Sequence, residues 1–368
     1  MLKDIHIQNY RGIKDLKIKD FKRINLLVGD NNSGKTSVLE AIFLMIQPRN
    51  PMLLVQFDYY RNLDLAEGAL LENINLSPQQ FNDNFLWEKL SFNCFNKNIS
   101  TPILIATNES EKTRETLEIL FDLKTRNFGG ENSVNLNLNF NPTLPQSVLF
   151  KYSGNLEDTG FSVGASAKFS QETNKSVCDT ASLIRVGKTR SRDLVKNLSK
   201  FLKEKVENKQ KLLDLISQID SKIIDIFPDA ERPKNSSIAI RINGLEGTIT
   251  LDHFGDGIIS VLTYILAIYE NKNSVILIDE IENGLHWKTQ TILWKAVLTA
   301  AKENNVQIIA TTHSREMIAS LNEVCEEGLI ERDDFAVFSL DKNGDKNYVT
   351  DYRKDDLQFR LNSGGEIR

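Results

Sequence analysis

The stretch that decides the fold is Ile24-Asn-Leu-Leu-Val28, followed directly by Gly29-Asp-Asn-Asn-Ser-Gly-Lys-Thr36. The first five residues are apolar enough for a buried strand, and residues 37–46 after the loop carry apolar side chains at helical spacing. A strand, a Gly-x-x-x-x-Gly-Lys-Thr loop and a helix in this order are typical of phosphate-binding loops, in which backbone N–H groups and the helix N-terminus hold phosphate oxygens. The sequence therefore predicts a nucleotide site at this loop.

The residues of the loop have different expected tasks. Lys35 would hold the β- and γ-phosphates, and Thr36 would ligate Mg²⁺. The other phosphate contacts are expected from Gly29, Asn31, Asn32, Ser33, Gly34 and Ser37. The alternative, a glycine turn before an unrelated helix, is disfavoured by the strand before the loop and the amphipathic helix after it.

A second motif, Ser274-Val-Ile-Leu-Ile-Asp279-Glu280, is an apolar strand that ends in two acids. Paired carboxylates at the end of a buried strand need a cation to offset their desolvation. Asp279 is therefore the expected Mg²⁺ partner, and Glu280 is placed to orient or deprotonate the attacking water. Alone, such a pair is more often a solvated loop edge, but a phosphate-binding loop on the same chain favours the metal site.

A third motif, Ala310-Thr-Thr-His313-Ser314, follows another apolar strand. His313 at a strand end is expected to contact the γ-phosphate or the attacking water. A lone histidine is more often a satisfied turn residue, but the order and spacing of the three motifs favour the functional role.

The rest of the chain predicts an α/β protein with an insertion. Apolar periodicity predicts the following elements: strands at 2–8, 15–18, 103–106, 117–123, 134–140, 274–278, 306–311, 335–340 and 348–352; a hairpin at 238–251; one helical region at 191–227 that ends at Pro228; and helices at 258–269, 287–302 and 355–361. The expected divisions are an N-terminal part at 1–50, a β-rich insertion at 51–182, a helical subdomain at 183–235 and a C-terminal part at 236–368.

Composition excludes several classes of protein. The chain has 368 residues, 40% of them hydrophobic, and a net charge of −5. No apolar run approaches the ~20 residues that a membrane helix needs, and residues 1–8 alternate like a strand rather than forming the apolar core of a signal peptide. Cys94, Cys178 and Cys325 lack the spacing of a metal or disulfide framework. We therefore expect a cytoplasmic protein without membrane contact.

The three motifs together resemble the ABC-type ATPase heads of the RecF, SMC and OLD families. Ile281-Glu-Asn-Gly-Leu-His286 is similar to their D-loop, and Gln8-Asn-Tyr-Arg11-Gly-Ile13 resembles their opening strand and turn. The match is closest to the compact AAA-type ATPases of bacterial phage-defence operons. The resemblance implies an α/β ABC-type P-loop ATPase head with a mixed sheet core, a β-rich inserted lobe and a helical subdomain. It covers residues 1–48 and 236–368 strongly and 183–230 loosely.

The resemblance also implies further site residues. The signature motif that completes a partner subunit's site would be His253-Phe-Gly-Asp-Gly257, with Gly255, Asp256 and Gly257 presenting free N–H groups at a helix N-terminus. Gly255 replaces the usual serine and Asp256 adds a negative charge, so a plain turn is the alternative. Arg11 would approach the nucleotide, or would be a surface arginine. The Q-loop glutamine is left open among Gln56, Gln79 and Gln80.

The resemblance implies a Mg²⁺-dependent ATPase that acts as a homodimer or a higher homo-oligomer. Its expected role is the sensor or scaffold subunit of an anti-phage system that controls a separately encoded toxin or nuclease. The helical part is too short for the coiled-coil arms of SMC proteins, and the 55 residues after His313 are too few for an OLD-type nuclease domain. We therefore expect no nuclease domain in this chain.

A basic stripe at 185–211 leaves a second function open. It holds ten lysines and arginines against three acids, a local charge of +7. Such a stripe could bind DNA phosphates, as a RecF-like repair ATPase would require, or an acidic protein, or could be the solvated face of an amphipathic helix. A pure interaction module with a decayed ATPase is disfavoured because every phosphate-binding and acidic residue expected of the site is present.

Overall fold

The computed structural model describes residues 1–47, 103–107, 115–122, 147–153, 159–164, 181–185, 191–229, 237–329, 331, 334–352 and 360–361. In these ranges the chain forms three sheets and six α-helices. Within these ranges no helix is both long and apolar enough to cross a membrane.

The core sheet carries the three sequence motifs. Its six strands are β3 (Ile24–Val28), β8 (Ala181–Arg185), β12 (Val275–Asp279), β13 (Gln307–Thr311), β14 (Phe335–Asn343) and β15 (Lys346–Tyr352). They are ordered β15-β14-β3-β13-β12-β8, and all neighbours are parallel except β14 and β15. The apolar runs of β3, β12 and β13 are buried, as expected of central parallel strands with both faces covered.

A second, antiparallel sheet, the N-terminal sheet, covers one side of the core. It consists of β1 (Ile5–Tyr10), β2 (Ile13–Ile18), β4 (Ile103–Thr107), β5 (Glu115–Asp122), β6 (Ser147–Ser153) and β7 (Thr159–Gly164), in the order β2-β1-β4-β5-β6-β7. The strands predicted near 103 and 117 are therefore confirmed, and they extend the N-terminal hairpin rather than forming a separate sheet. The strand predicted at 134–140 lies outside the described residues.

Helix α1 (Lys35–Ile46) lies between these two sheets. Its apolar residues form one hydrophobic cluster with the N-terminal sheet and with one face of the core sheet. This burial on both sides explains why the helix is apolar on most of its surface. The phosphate-binding loop at its N-terminus is thus fixed to both sheets.

Three helices cover the other face of the core sheet. They are α4 (Asp256–Glu270), α5 (Trp287–Glu303) and α6 (Arg315–Glu326). Trp294 of α5 is fully buried, and its indole N–H donates to the Met317 carbonyl at 3.0 Å. This bond joins α5 to α6, so the segments after β12 and β13 share one rigid support.

The region 191–227 differs from the prediction of one helical segment. It forms α2 (Ser191–Glu204), α3 (Asn208–Ile219) and then strand β9 (Ile223–Asp229). Isoleucines that fit a helical face also fit an alternating strand, and the β-branched run at 223–226 pairs with β10 (Ser237–Ile242). Pro228 does not end a helix; it lies in β9 at the edge of the small sheet β11-β10-β9, where a missing N–H is tolerated.

The remaining expectations are confirmed within the described residues. The hairpin at 238–251 is β10 with β11 (Ile249–Thr250), which pair antiparallel. The helices predicted at 258–269 and 287–302 are α4 and α5, and the two tail strands are β14 and β15. Of the predicted terminal helix only residues 360–361, which are helical, are described.

Candidate nucleotide site

The three sequence motifs meet at one edge of the core sheet. Strands β3, β13 and β12 are adjacent and parallel, so their carboxyl ends lie side by side. The phosphate-binding loop follows β3, the acidic pair ends β12, and His313 follows β13. In open α/β sheets this edge is where ligands bind.

The loop backbone requires its glycines. Gly29 has a φ of 137°, and a Cβ there would lie 2.3 Å from the Leu340 carbonyl oxygen of β14. Gly34 has a φ of 103° at the start of α1. Residues with side chains rarely adopt these angles, so the two glycines of the motif are needed for the path of the loop.

Lys35 is buried inside the loop, with only 5% of its surface exposed. Its Nζ donates to the carbonyl oxygens of Gly29 and Asp30, both at 2.8 Å. Burial lowers the pKa of Lys35, and the carboxylates of Asp279, Asp30, Glu282 and Glu280 partly oppose this effect. The amine is therefore hydrogen-bonded to two backbone carbonyls, which phosphate oxygens could replace, and it lies near several carboxylates.

Two threonine hydroxyls converge on the Asp279 carboxylate. Thr36 Oγ1 donates to Oδ1 at 3.1 Å and to Oδ2 at 3.2 Å. Thr311 Oγ1 donates to Oδ1 at 2.8 Å. The Thr36 hydroxyl comes from α1 and the Thr311 hydroxyl from β13, the strand beside β12. The two contacts therefore join α1 and β13 to the end of β12.

Glu280 adopts an unusual backbone conformation. Its φ is 54°, in the left-handed region, which costs a residue with a side chain about 1–2 kcal/mol. Its N–H donates to Thr311 Oγ1 at 2.7 Å, which helps to fix this conformation. The residue is exposed. Such local strain concentrates at functional sites.

Hydrogen bonds from backbone N–H groups fix the position of His313. Its N–H donates to the Glu282 carboxylate oxygen Oε1 at 2.6 Å. The preceding N–H, of Thr312, donates to the Leu27 carbonyl at 3.1 Å. The loop after β13 is thus tied both to β3 and to the segment after β12.

The predicted signature motif packs against the predicted D-loop. Ser260 Oγ of α4 donates to the Asn283 carbonyl at 3.0 Å. A Cβ on Gly284, whose φ is 75°, would lie 2.5 Å from the Asp256 Cβ. Gly255 and Asp256 are exposed at the N-terminus of α4, where no side-chain cap is present. The contact of these residues with a partner's nucleotide stays a prediction.

An exposed tryptophan follows the predicted D-loop. Trp287 begins α5 with 60% of its surface exposed. Its ring has His286 on one side at 5.6 Å between centroids, and Lys288 Nζ lies 5.3 Å from the ring centroid. A tryptophan this exposed is uncommon, since indole is usually at least partly buried.

Arg11 is not a surface residue. Its Nε lies 3.0 Å from Glu40 Oε2 of α1, and both side chains are buried. The same Nε donates to the Tyr10 hydroxyl at 3.2 Å. Arg11 thus joins the first strand to the loop helix, and its approach to the nucleotide stays a prediction. The three glutamines considered for the Q-loop lie outside the described residues.

Sequence reasoning did not assign two residues of this site. Thr311 contacts the Asp279 carboxylate and the Glu280 backbone N–H, and Glu282 contacts the His313 backbone. Both occur within motifs that were recognised, but their roles depend on which strands are adjacent, and spacing in one sequence does not reveal adjacency. The sequence offers one indication for Thr311, because a hydroxyl directly after the apolar run 308–310 of a buried strand needs a buried partner.

Comparisons with known proteins identify the family of the chain. Residues 24–319 match the family described as "AAA domain, putative AbiEii toxin, Type IV TA system". The chain is 25% identical over 349 residues to an ATP/GTP phosphatase of Helicobacter pylori, covering 89% of each protein. It is 24% identical over 409 residues to an OLD nuclease of Thermus scotoductus, covering 100% of this chain and 68% of that protein.

Among solved structures, the SMC head domain of Thermotoga maritima aligns with a TM-score of 0.45 at 12% identity, covering 96% of this chain and 99% of that one. The family match includes the phosphate-binding loop, the acidic strand end and His313. The chain belongs to this AAA-domain family and is an ABC-type ATPase of the RecF, SMC and OLD class.

Proposed function

We propose that this chain hydrolyses ATP with Mg²⁺ at the carboxyl edge of the core sheet. The observation that carries the proposal is the convergence of Thr36 and Thr311 on Asp279, directly beside the phosphate-binding loop. A hydroxyl and a carboxylate on neighbouring elements are the protein ligands that Mg²⁺ takes in phosphate-transfer sites.

The donor set fits a metal that is shared with the nucleotide. Among the described residues, no group of three or more His, Cys, Asp or Glu side chains could hold a metal ion by itself. Mg²⁺ usually keeps several waters and takes one or two protein ligands together with phosphate oxygens. Thr36 and Asp279 would supply the protein share, and the bound metal would neutralise charge that develops on the phosphates.

The other residues divide the remaining work. Lys35 would exchange its carbonyl contacts for the β- and γ-phosphate oxygens, with the loop amides around them. Glu280 would orient or deprotonate the attacking water. Its side chain is exposed and can therefore reach a water molecule. His313, at the end of the neighbouring strand, would sense the γ-phosphate.

Replacing Glu280 by Gln tests the hydrolytic role. The amide keeps the size of the side chain but removes the base, so we expect kcat to fall by about 100-fold or more while ATP affinity changes little. Steady-state hydrolysis and calorimetric ATP binding measure the two quantities, and Glu246→Gln at an exposed turn is the matched control. A rate within twofold of the wild type would remove Glu280 from catalysis.

For the biological role, we propose a sensor or scaffold subunit of an anti-phage system that controls a separately encoded toxin or nuclease. The family description, which names a toxin–antitoxin system, supports this role. Glu280→Gln protein would be purified from its native host with ATP and Mg²⁺, with and without nuclease treatment. A stoichiometric protein partner that survives nuclease treatment is expected, and DNA without such a partner would contradict the role.

The second candidate is an ATPase that binds duplex DNA through the basic stripe. Part of this stripe is neutralised, because Lys200, Lys209 and Lys211 form ion pairs with Glu270, Asp225 and Glu303. Three exposed lysines are the candidates for phosphate contacts: Lys196, Lys203 and Lys205.

The DNA role is tested with these three lysines. It predicts that ATP strengthens duplex binding and that replacing the three by Gln lowers the salt dependence of the binding constant. Binding that is unaffected by ATP and by the substitutions would exclude it.

A further inference from the structure

The Glu282 carboxylate has two oxygens in different environments. Oε1 accepts the hydrogen bond from the His313 N–H at 2.6 Å. Oε2 is buried and has no hydrogen-bond partner in the described part of the chain. Leaving a buried polar atom without a partner costs about 1–3 kcal/mol, so the unpaired oxygen is not explained by a gain in stability.

The position of Glu282 links two segments that have separate roles. It lies three residues after Asp279, in the turn where the Asn283 N–H donates to the Glu280 carbonyl at 2.9 Å. His313 lies two residues after the end of β13. Within the described residues the His313 N–H donates to no backbone carbonyl, so its acceptor is the Glu282 carboxylate.

The charge of Glu282 also reaches the phosphate site. Among the carboxylates that oppose the lowering of the Lys35 pKa, Glu282 ranks behind Asp279 and Asp30 and ahead of Glu280. Its side chain therefore lies close enough to affect groups that bind the γ-phosphate.

We propose that Glu282 is a positioning residue for His313. Its carboxylate fixes the backbone of the loop after β13, so that His313 is presented to the γ-phosphate side of the site before ATP binds. A charge-assisted bond from a carboxylate to a backbone N–H is short and directional. Because the inference rests on the proposed function, its test includes a measurement that does not depend on ATP hydrolysis.

The independent measurement is hydrogen exchange of the nucleotide-free protein. Glu282→Ala removes the acceptor, so we expect faster exchange of the peptide that contains His313 and unchanged exchange in β3 and α1. Glu282→Gln retains an oxygen at the position of Oε1 and is expected to keep the protection. Wild-type protection in the Ala variant would overturn the proposal.

Kinetics then test whether the hydrogen bond matters for turnover. Displacing a site residue by about 1 Å can cost on the order of 100-fold in rate, so we expect Glu282→Ala to lower kcat by about 10-fold to 100-fold, with KM changed less than threefold. Glu282→Gln should recover most of this loss. In a His313→Ala background the Glu282→Ala change should have no further effect, because Glu282 acts through His313.

The outcomes separate this proposal from the proposed function. If the wild type does not hydrolyse ATP, the proposed function fails, while the exchange result still decides whether Glu282 holds the His313 loop. If the wild type hydrolyses ATP and Glu282→Ala matches its kcat, or if the losses from the two substitutions simply multiply, the positioning role is wrong. Should the Ala variant not fold, Glu282→Leu, which fills similar space but has no acceptor, takes its place in the exchange measurement and in the double-variant cycle.

Discussion

Lys35 shows how burial sets the chemistry of a single residue. Its pKa is lowered mainly by desolvation, while four carboxylates favour the charged form. A bound polyphosphate adds negative charge at the amine, so the bound state must have a higher pKa than the free state. Proton uptake should therefore accompany nucleotide binding wherever free Lys35 is partly neutral.

This difference predicts a pH dependence of affinity. As the pH rises above the lowered pKa of free Lys35, ATP must bind a protein that first takes up a proton, so affinity should fall toward alkaline pH. Calorimetry between about pH 7.5 and 10 in buffers of different ionisation enthalpy measures both the affinity and the proton uptake. Lys35→Arg keeps its charge and is expected to bind with an affinity independent of pH. A flat wild-type profile would contradict the prediction.

Thr311 contacts two consecutive residues at the end of β12. Its hydroxyl donates to Asp279 and accepts from the Glu280 N–H. Thr311→Val retains the shape but leaves that N–H without its acceptor, at a cost of about 1–3 kcal/mol. We expect lower stability and a higher Mg²⁺ concentration for half-maximal ATPase activity.

Thr311→Ser is the matched control because it retains the hydroxyl. Denaturant unfolding and Mg²⁺ titration of the ATPase rate check the two effects. A Val variant with wild-type stability and an unshifted Mg²⁺ titration would show that the hydroxyl contributes nothing to the site.

At the scale of elements, the start of α4 packs against the predicted D-loop. Gly284 has a φ of 75°, and any side chain there would meet Asp256. Gly244 has a similar φ of 81° with nothing within 4 Å. Comparing substitutions at the two glycines therefore distinguishes the cost of backbone strain, which both share, from the cost of steric contact, which only Gly284 has.

We expect Gly284→Ala to destabilise more than Gly244→Ala. In both variants the left-handed backbone of the new alanine lowers the free energy of unfolding by about 1 kcal/mol. Gly284→Ala must in addition displace the first turn of α4, which adds about 1–3 kcal/mol. Urea unfolding of both variants gives the comparison, and equal losses would mean that the turn moves without resistance.

The same scale shows what the sequence could predict. The strands that carry the site were predictable because central parallel strands are apolar throughout and each ends at a motif. The region 191–227 was not, because isoleucines repeat at spacings that suit both helix and strand until a pairing partner is known. The contacts of Arg11 with Glu40 and of Thr311 with Asp279 were not predictable either, because they join separate elements whose adjacency the sequence does not reveal.

At the scale of the whole molecule, the exposed N-terminus of α4 makes dimerisation testable. If Gly255 to Gly257 contact a partner's γ-phosphate, Glu280→Gln protein should form a dimer with ATP and remain a 41.8 kDa monomer with ADP. Light scattering measures the mass, and Lys35→Ala is the control that should not respond to ATP. A monomer with ATP bound would contradict a nucleotide-sandwiched dimer.

If the proposed dimerisation covers Trp287, this residue is an optical reporter of it. Its indole is solvated beside the D-loop, whereas that of Trp294 is fully buried, so the two should emit at different wavelengths. Covering the Trp287 ring would shift its emission to the blue without any attached dye. If two heads close over this ring, their closing and reopening during a catalytic cycle should be visible in real time on the unlabelled chain, with Trp87→Phe removing the third emitter.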